Sequence, residues 1–116
     1  ASLCRDNLHI YSGNDDQIVP LLSVGAKGVI SVLANVFPKE THDICSLYLY
    51  NKQNEAKNLQ LKYINFINSL FCEVNPIPVK EALNYLDFNV GNCRLPLCKM
   101  EKQNKENLII NLNKLL

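Results

Sequence analysis

Leu8-His-Ile-Tyr-Ser-Gly-Asn-Asp15 and Gly28-Val-Ile-Ser-Val-Leu-Ala-Asn35 decide the fold. Each reads as a short, β-rich strand ending in small polar residues. Between them, residues 16–24 read as a helix with Gly25 just past its end. A strand, a helix and a second strand in so short a span make a βαβ unit, which forces parallel pairing and a right-handed crossover. In parallel α/β architectures the ligand sits at the carboxyl ends of the strands. Chemistry is therefore expected around Ser12-Gly13-Asn14-Asp15 and around Ile30-Ser31.

Working outward, residues 8–11 do not alternate cleanly between apolar and polar, as expected for a strand covered on both faces. Asn14 reads as a helix N-cap, with Gln17 completing a capping box. Ile18, Leu21, Leu22 and Gly25 give the helical stripe, and Pro20 is tolerable because it falls in the first turns. Gly28 to Val32 reads as the second strand. Pro38 suits the first position of a helix running to about Asn51, with Ile44, Leu47 and Tyr48 on one face.

Residues 53–72 form the longest helical segment. Ala56, Leu59, Tyr63, Phe66, Ile67 and Leu70 recur at spacings of three and four, and Leu61, Ile64 and Phe71 broaden the stripe. A stripe that wide predicts burial on most of the circumference. Glu73-Val-Asn-Pro-Ile-Pro78 reads as a stiff connection set by its prolines. A helix is expected over 79–86, a turn over 89–92, and an extended segment over 93–100 broken by Pro96. A last amphipathic helix over 101–116 carries Leu108, Leu112 and Leu115 on one face. There are no internal repeats, low-complexity tracts or linkers.

The 116 residues allow at most one domain, and a hydrophobic content of 47% is enough for a packed core. A net charge of +1 gives no electrostatic case for nucleic acid. No apolar run approaches the roughly 18 residues of a membrane helix, and no signal peptide is expected. The odd set Cys4, Cys45, Cys72, Cys93 and Cys98, scattered over unlike segments, suits reduced thiols in a cytosol better than a disulfide framework.

Two parallel strands followed by several helices cannot close a sheet. Both strands would keep unpaired edges, and an isolated pair is rarely stable. Periodicity thus implies either the end of a larger α/β domain or a sheet completed by other chains.

Each motif has a plainer reading as well. Ser12-Gly13-Asn14-Asp15 is either a capped turn or a place where a substrate approaches the backbone beside helix N–H groups. Asn75-Pro-Ile-Pro-Val-Lys80 is either a structural corner or a side chain held rigidly at a site. His9 and His42 lack ligand-spaced partners, and Cys93-x4-Cys98 lacks the second pair that zinc needs. No Ser-His-Asp or Cys-His order with supporting context is present. Asp15 and Asp16 would point in different directions, against a paired-carboxylate mechanism. The Lys/Glu-rich start of the last helix reads as a solvated face.

The ordered set Tyr11-Ser-Gly-Asn-Asp15, Gly25-Ala-Lys-Gly-Val-Ile-Ser-Val32, Ala34-Asn35-Val36, Pro38-Lys39-Glu40, Phe71-Cys-Glu-Val-Asn-Pro-Ile-Pro-Val-Lys80 and Arg94-Leu-Pro-Leu97 resembles a known family. It is similar to the C-terminal part of the 4-hydroxy-tetrahydrodipicolinate synthases, also called dihydrodipicolinate synthases. The resemblance covers nearly the whole chain from Leu8 onward. Asn-Pro-Ile-Pro-Val-Lys after Phe-x-Glu favours these enzymes over the related N-acetylneuraminate lyases and keto-deoxy-sugar aldolases.

The resemblance implies an α/β fold, the C-terminal portion of a TIM (β/α)8 barrel followed by a helical domain, with the segment itself mostly α-helical. Residues 1–52 would be the last two βα units, with strands seven and eight at 8–11 and 28–32, and residues 53–116 the helical domain. The implied reaction is class I aldolase-like. A lysine forms a Schiff base with pyruvate, and the derived enamine attacks aspartate semialdehyde on the route to diaminopimelate and lysine. No metal or organic cofactor is implied.

In the family the Schiff-base lysine lies on strand six and a tyrosine–threonine relay on earlier strands, so these residues are not expected in this chain, which would be inactive alone. Lys27, in the helix-to-strand loop, should not substitute. Three positions match: Ile30 resembles the residue whose backbone carbonyl contacts pyruvate, Gly13 the glycine that gives the substrate room, and Asn75 the asparagine near the second substrate's carboxylate. Lysine-feedback positions fall in the part not covered. Asn14 departs from an aspartate common in the family, a change a helix cap tolerates. The resemblance further implies a cytoplasmic homo-oligomer with no nucleic-acid or membrane partner. Two other readings stay open: a non-catalytic helical module that oligomerises through its apolar faces, and another pyruvate aldolase such as N-acetylneuraminate lyase.

Overall fold

In a computed structural model that describes Leu3 and residues 7–116, the chain divides into two units, residues 1–62 and 63–116. The first is built on the expected βαβ unit. Strand β1 (Tyr11–Ser12) lies parallel to β2 (Gly28–Val29), with Tyr11 opposite Gly28 and Ser12 opposite Val29. A 3₁₀ turn at Asp15–Gln17 leads into the crossover helix α1 (Ile18–Ser23). Gly25, at φ 99°, ends α1: its N–H donates to the Leu22 carbonyl and the Ala26 N–H to the Leu21 carbonyl. This pair of bonds satisfies carbonyls a helix end otherwise leaves open, and the left-handed residue between them favours glycine.

Ile18 and Leu22 of α1 pack with Ile44 of α2 (Pro38–Leu49) as a small buried cluster, flanked by Val29, Cys45, Tyr48 and Leu59. Burying each such side chain is worth about 1.5–3 kcal/mol, which is what holds the crossover on the sheet. Pro38 opens α2, where its missing N–H costs nothing. Asn51, at φ 63°, closes it with the same two-bond cap, Asn51 N–H to Tyr48 O and Lys52 N–H to Leu47 O.

Helix α3 (Gln53–Leu70) gives its first part to this unit and the remainder to the second. In the second unit, Tyr63, Phe66, Ile67 and Leu70 of α3, Ile77, Val79 and Ala82 of α4 (Ile77–Tyr85), and Leu108 and Leu112 of α5 (Lys102–Asn113) are the buried apolar residues, with Met100 just before α5. Polar bonds set the helices' places. Glu73 Oε1 accepts from the Glu101 N–H at 3.0 Å and from Asn104 Nδ2 at 2.8 Å, capping the start of α5. Asn111 Nδ2 donates to Ser69 Oγ at 2.8 Å, and Lys105 pairs with Glu81 at 2.6 Å.

Several expectations are corrected. Both strands are two residues long rather than four or five, because past the flanking bonds of Lys27 N–H to Ile10 O and Ile30 N–H to Ser12 O the Asn14 and Val32 amides are taken by side chains. Asn14 sits at the N-cap position in extended conformation but makes no side-chain cap. The cap comes instead from Gln60 of α3, whose Oε1 accepts from the Val19 N–H at 2.8 Å while its Nε2 donates to the Asp16 carbonyl. Helix α3 is buried along one face only: Leu61 is 57% exposed, and Lys57, Asn58, Lys62, Asn65 and Asn68 line the outer side. Helix α4 begins at Ile77 rather than Val79, since Pro78 is accommodated within the first turn. Positive-φ turns fall at Asp87, Asn89 and Gly91, and Leu95-Pro96 makes a turn rather than a continuous extended segment. Cys4 lies outside the described residues; Cys45, Cys72, Cys93 and Cys98 are free thiols.

Candidate functional site

The carboxyl ends of β1 and β2 are fixed by a short series of hydrogen bonds. The Ile30 N–H donates to the Ser12 carbonyl at 2.8 Å, the last rung of the parallel ladder. The Asn14 N–H would supply the next rung, to the Ile30 carbonyl, but it donates to Ser12 Oγ at 3.2 Å. The same hydroxyl donates to the Asn14 carbonyl at 2.7 Å, and Ser12 is almost wholly buried. The Ile30 carbonyl therefore stands at the strand tip outside the ladder.

Beyond it the chain turns sharply. Asp15, 0% exposed, reaches across from the end of β1, and its Oδ2 accepts from the Val32 N–H at 2.9 Å and the Leu33 N–H at 3.0 Å. Ser31 Oγ accepts from the Ala34 N–H at 2.9 Å. Three successive amides at the start of the 3₁₀ turn Leu33–Asn35 are thus capped by side chains. Asp15 Oδ1 is buried and meets no donor among the described residues.

The sequence-derived positions fall as follows. Gly13 and Ile30 stand together at the same ends of paired strands, and the Ile30 side chain is 71% exposed. A Cβ added at Gly13 would meet nothing within 4 Å, and its backbone lies outside the left-handed region, so neither packing nor conformation in this unit demands glycine there. Asn75 belongs to the second unit, exposed in the turn before α4 and joined to Pro76 by a cis peptide bond. Lys27 is exposed at the opposite, amino end of β2, its backbone N–H bonded to the Ile10 carbonyl at 2.8 Å. Asp15, Ser12, Ser31 and Gln60 were not singled out from sequence for these bonds. The Ser12 and Ser31 bonds are local and have a signal, a hydroxyl two or three residues before the amide it caps. The Asp15 and Gln60 bonds span 17 to 44 residues and have none.

Burial, with the Asp15 carboxylate second, raises the pKa of the Cys45 thiol above its ordinary value. Burial and the neighbouring Glu73 do the same for Cys72. On the surface, the Lys39 ammonium bonded to Asp43 at 2.9 Å holds that carboxyl below the usual range, with His42 helping. Among the described residues no group of three His, Cys, Asp or Glu side chains is placed to hold a metal ion. No helix among them is long and apolar enough to cross a membrane.

A parallel βαβ unit whose strand tips are capped, continued by helices, is an α/β arrangement of the kind that (β/α) enzymes repeat. The chain belongs to the dihydrodipicolinate synthetase family, whose profile matches residues 1–115. It is 58% identical over 115 residues to the 4-hydroxy-tetrahydrodipicolinate synthase of Clostridium perfringens, a match that takes in 96% of this chain and 40% of that enzyme. The fold superposes on the crystal structure of dihydrodipicolinate synthase from Thermotoga maritima with a TM-score of 0.92 at 36% identity, covering 97% of this chain and 38% of that one. A chloride-inhibited dihydrodipicolinate synthase from Acinetobacter baumannii, solved with pyruvate, matches with a TM-score of 0.87 at 39% identity over 92% of this chain and 37% of its own. The chain thus spans about two fifths of the length of these relatives.

Proposed function

We propose that this chain is the C-terminal portion of a (β/α)8-barrel lyase that condenses pyruvate with aspartate semialdehyde through a lysine Schiff base, on the route to diaminopimelate and lysine. Residues 1–52 supply the last two βα units and residues 53–116 the helical domain of a cytoplasmic homo-oligomer. The observation that carries this reading is the match over 97% of the chain, at a TM-score of 0.92, to an enzyme of which it spans 38%. The pyruvate complex of a second matching structure supports the substrate.

In the reaction a lysine amine from strand six adds to the C2 carbonyl of pyruvate and loses water to form the imine. Loss of a C3 proton gives the enamine, whose C3 attacks the aldehyde carbon while the aldehyde oxygen takes up a proton. The product's own amine then attacks the imine carbon, closing the ring and releasing the lysine amine. This chain supplies positioning. The Ile30 carbonyl, left outside the ladder, is a fixed dipole against pyruvate, and Gly13 leaves space beside it; Asn75 resembles the asparagine near the second substrate's carboxylate. Without the lysine the chain alone is inactive.

The test is a hybrid enzyme in which this chain replaces the matching 40% of the Clostridium perfringens synthase. Turnover of pyruvate and aspartate semialdehyde is expected, with neither part active alone. A folded, soluble hybrid that takes no pyruvate overturns the reading, and cleavage of sialic acid in its place would move the chain to the N-acetylneuraminate lyases.

A further inference from the structure

We infer that Asp15 is a positioning residue for the Ile30 strand tip, and through it for pyruvate. The inference rests on the proposed role of the Ile30 carbonyl. That carbonyl belongs to the peptide unit between Ile30 and Ser31. On one side the Ile30 N–H is held by the Ser12 carbonyl, and on the other the Val32 and Leu33 N–H groups are held by Asp15 Oδ2. The direction of the carbonyl is set by these two anchors, because only the Ile30 and Ser31 torsions lie between them.

A turn of this kind is ordinarily capped by its own hydroxyl or carboxylate, and Ser31 already does so for Ala34. Burying a carboxylate is costly unless it is hydrogen-bonded, and Asp15 is wholly buried with one oxygen taking both bonds and the other taking none among the described residues. A purely local cap needs none of this. What the long-range bond adds is a link from the end of β1, next to Gly13, to the end of β2, next to Ile30. It holds the two strand tips in one geometry.

The experiment compares Asp15→Ala and Asp15→Asn in the hybrid enzyme. Asparagine keeps an acceptor oxygen for both amides. Asp15→Ala is expected to raise KM for pyruvate about tenfold, the effect of misplacing one polar contact, while leaving KM for aspartate semialdehyde within about twofold; Asp15→Asn restores most of the pyruvate KM. A fall in kcat with both KM values unchanged would show a lower active fraction only, and would overturn the inference.

An inactive parent hybrid would refute the proposed function without settling Asp15, so the bonds from Asp15 to the Val32 and Leu33 N–H groups are also read in the 116-residue chain by amide hydrogen exchange. Faster exchange in Asp15→Ala confined to residues 30–34, and reversed in Asp15→Asn, supports the inference. Unchanged exchange, or exchange raised throughout the first unit, overturns it.

Discussion

Gly13 carries no side chain although nothing in its own unit forbids one. Gly13→Ala should therefore leave the isolated chain as stable or more stable, by about 0.4–1 kcal/mol, because alanine restricts the unfolded chain at a position whose backbone it accepts. In the hybrid enzyme the same methyl group would stand where the proposed function puts pyruvate, and turnover should fall at least about tenfold, as expected for overpacking a close contact. Urea denaturation of the chain and steady-state kinetics of the hybrid check the two halves; equal activity of the alanine variant would remove Gly13 from the site. In the sequence the turn over residues 12–15 stayed open between a capped turn and a substrate approach, and the role of Gly13 came only from the resemblance. The bonds of Asp15 were not legible there. Of two adjacent carboxylates, Asp15 is buried and Asp16 only half so, and the choice is made by the turn as a whole and by amides 17 and 18 residues away.

At the level of elements, the helices after Pro38 were read well because their apolar residues recur at three and four, a signal local to each segment. Their caps were read less well. Gly25 is an obvious left-handed terminator, whereas Asn51 and Asp87 fill the same position with less typical residues. The start of α1 shows the limit of local patterns: Asn14 and Gln17 spell a capping box, yet the side chain that satisfies the Val19 N–H is Gln60. Gln60→Ala should cost the first unit about 1 kcal/mol, because it leaves the part-buried Val19 N–H and Asp16 carbonyl without this partner. Asn14→Ala should cost little by comparison, since no side-chain cap is lost. Thermal melting of the two variants checks this ordering, and equal losses would contradict it.

For the molecule as a whole, the two-stranded parallel sheet was foreseen from the βαβ spacing, and so was its incompleteness as a sheet. What the spacing could not give was the family; the ordered motifs supplied it. The chemistry divides accordingly. Incubated with pyruvate and reduced with borohydride, the 116-residue chain should show no mass increase, whereas the hybrid should take up one pyruvate per chain. An adduct on the chain alone, mapped to Lys27 or to Lys80, whose ammonium donates to the Asn92 carbonyl at 2.8 Å, would place imine formation within this sequence.

The free thiols are spread so that each unit carries its own clock. Cys45 is half-buried in the first unit with its thiolate disfavoured, Cys93 is half-buried in the second, and Cys98 stands exposed beside it. Alkylation by one reagent, followed by intact-mass and peptide mapping, would time the breathing of the two units separately in a single tube, with Cys98 as the zero of the clock.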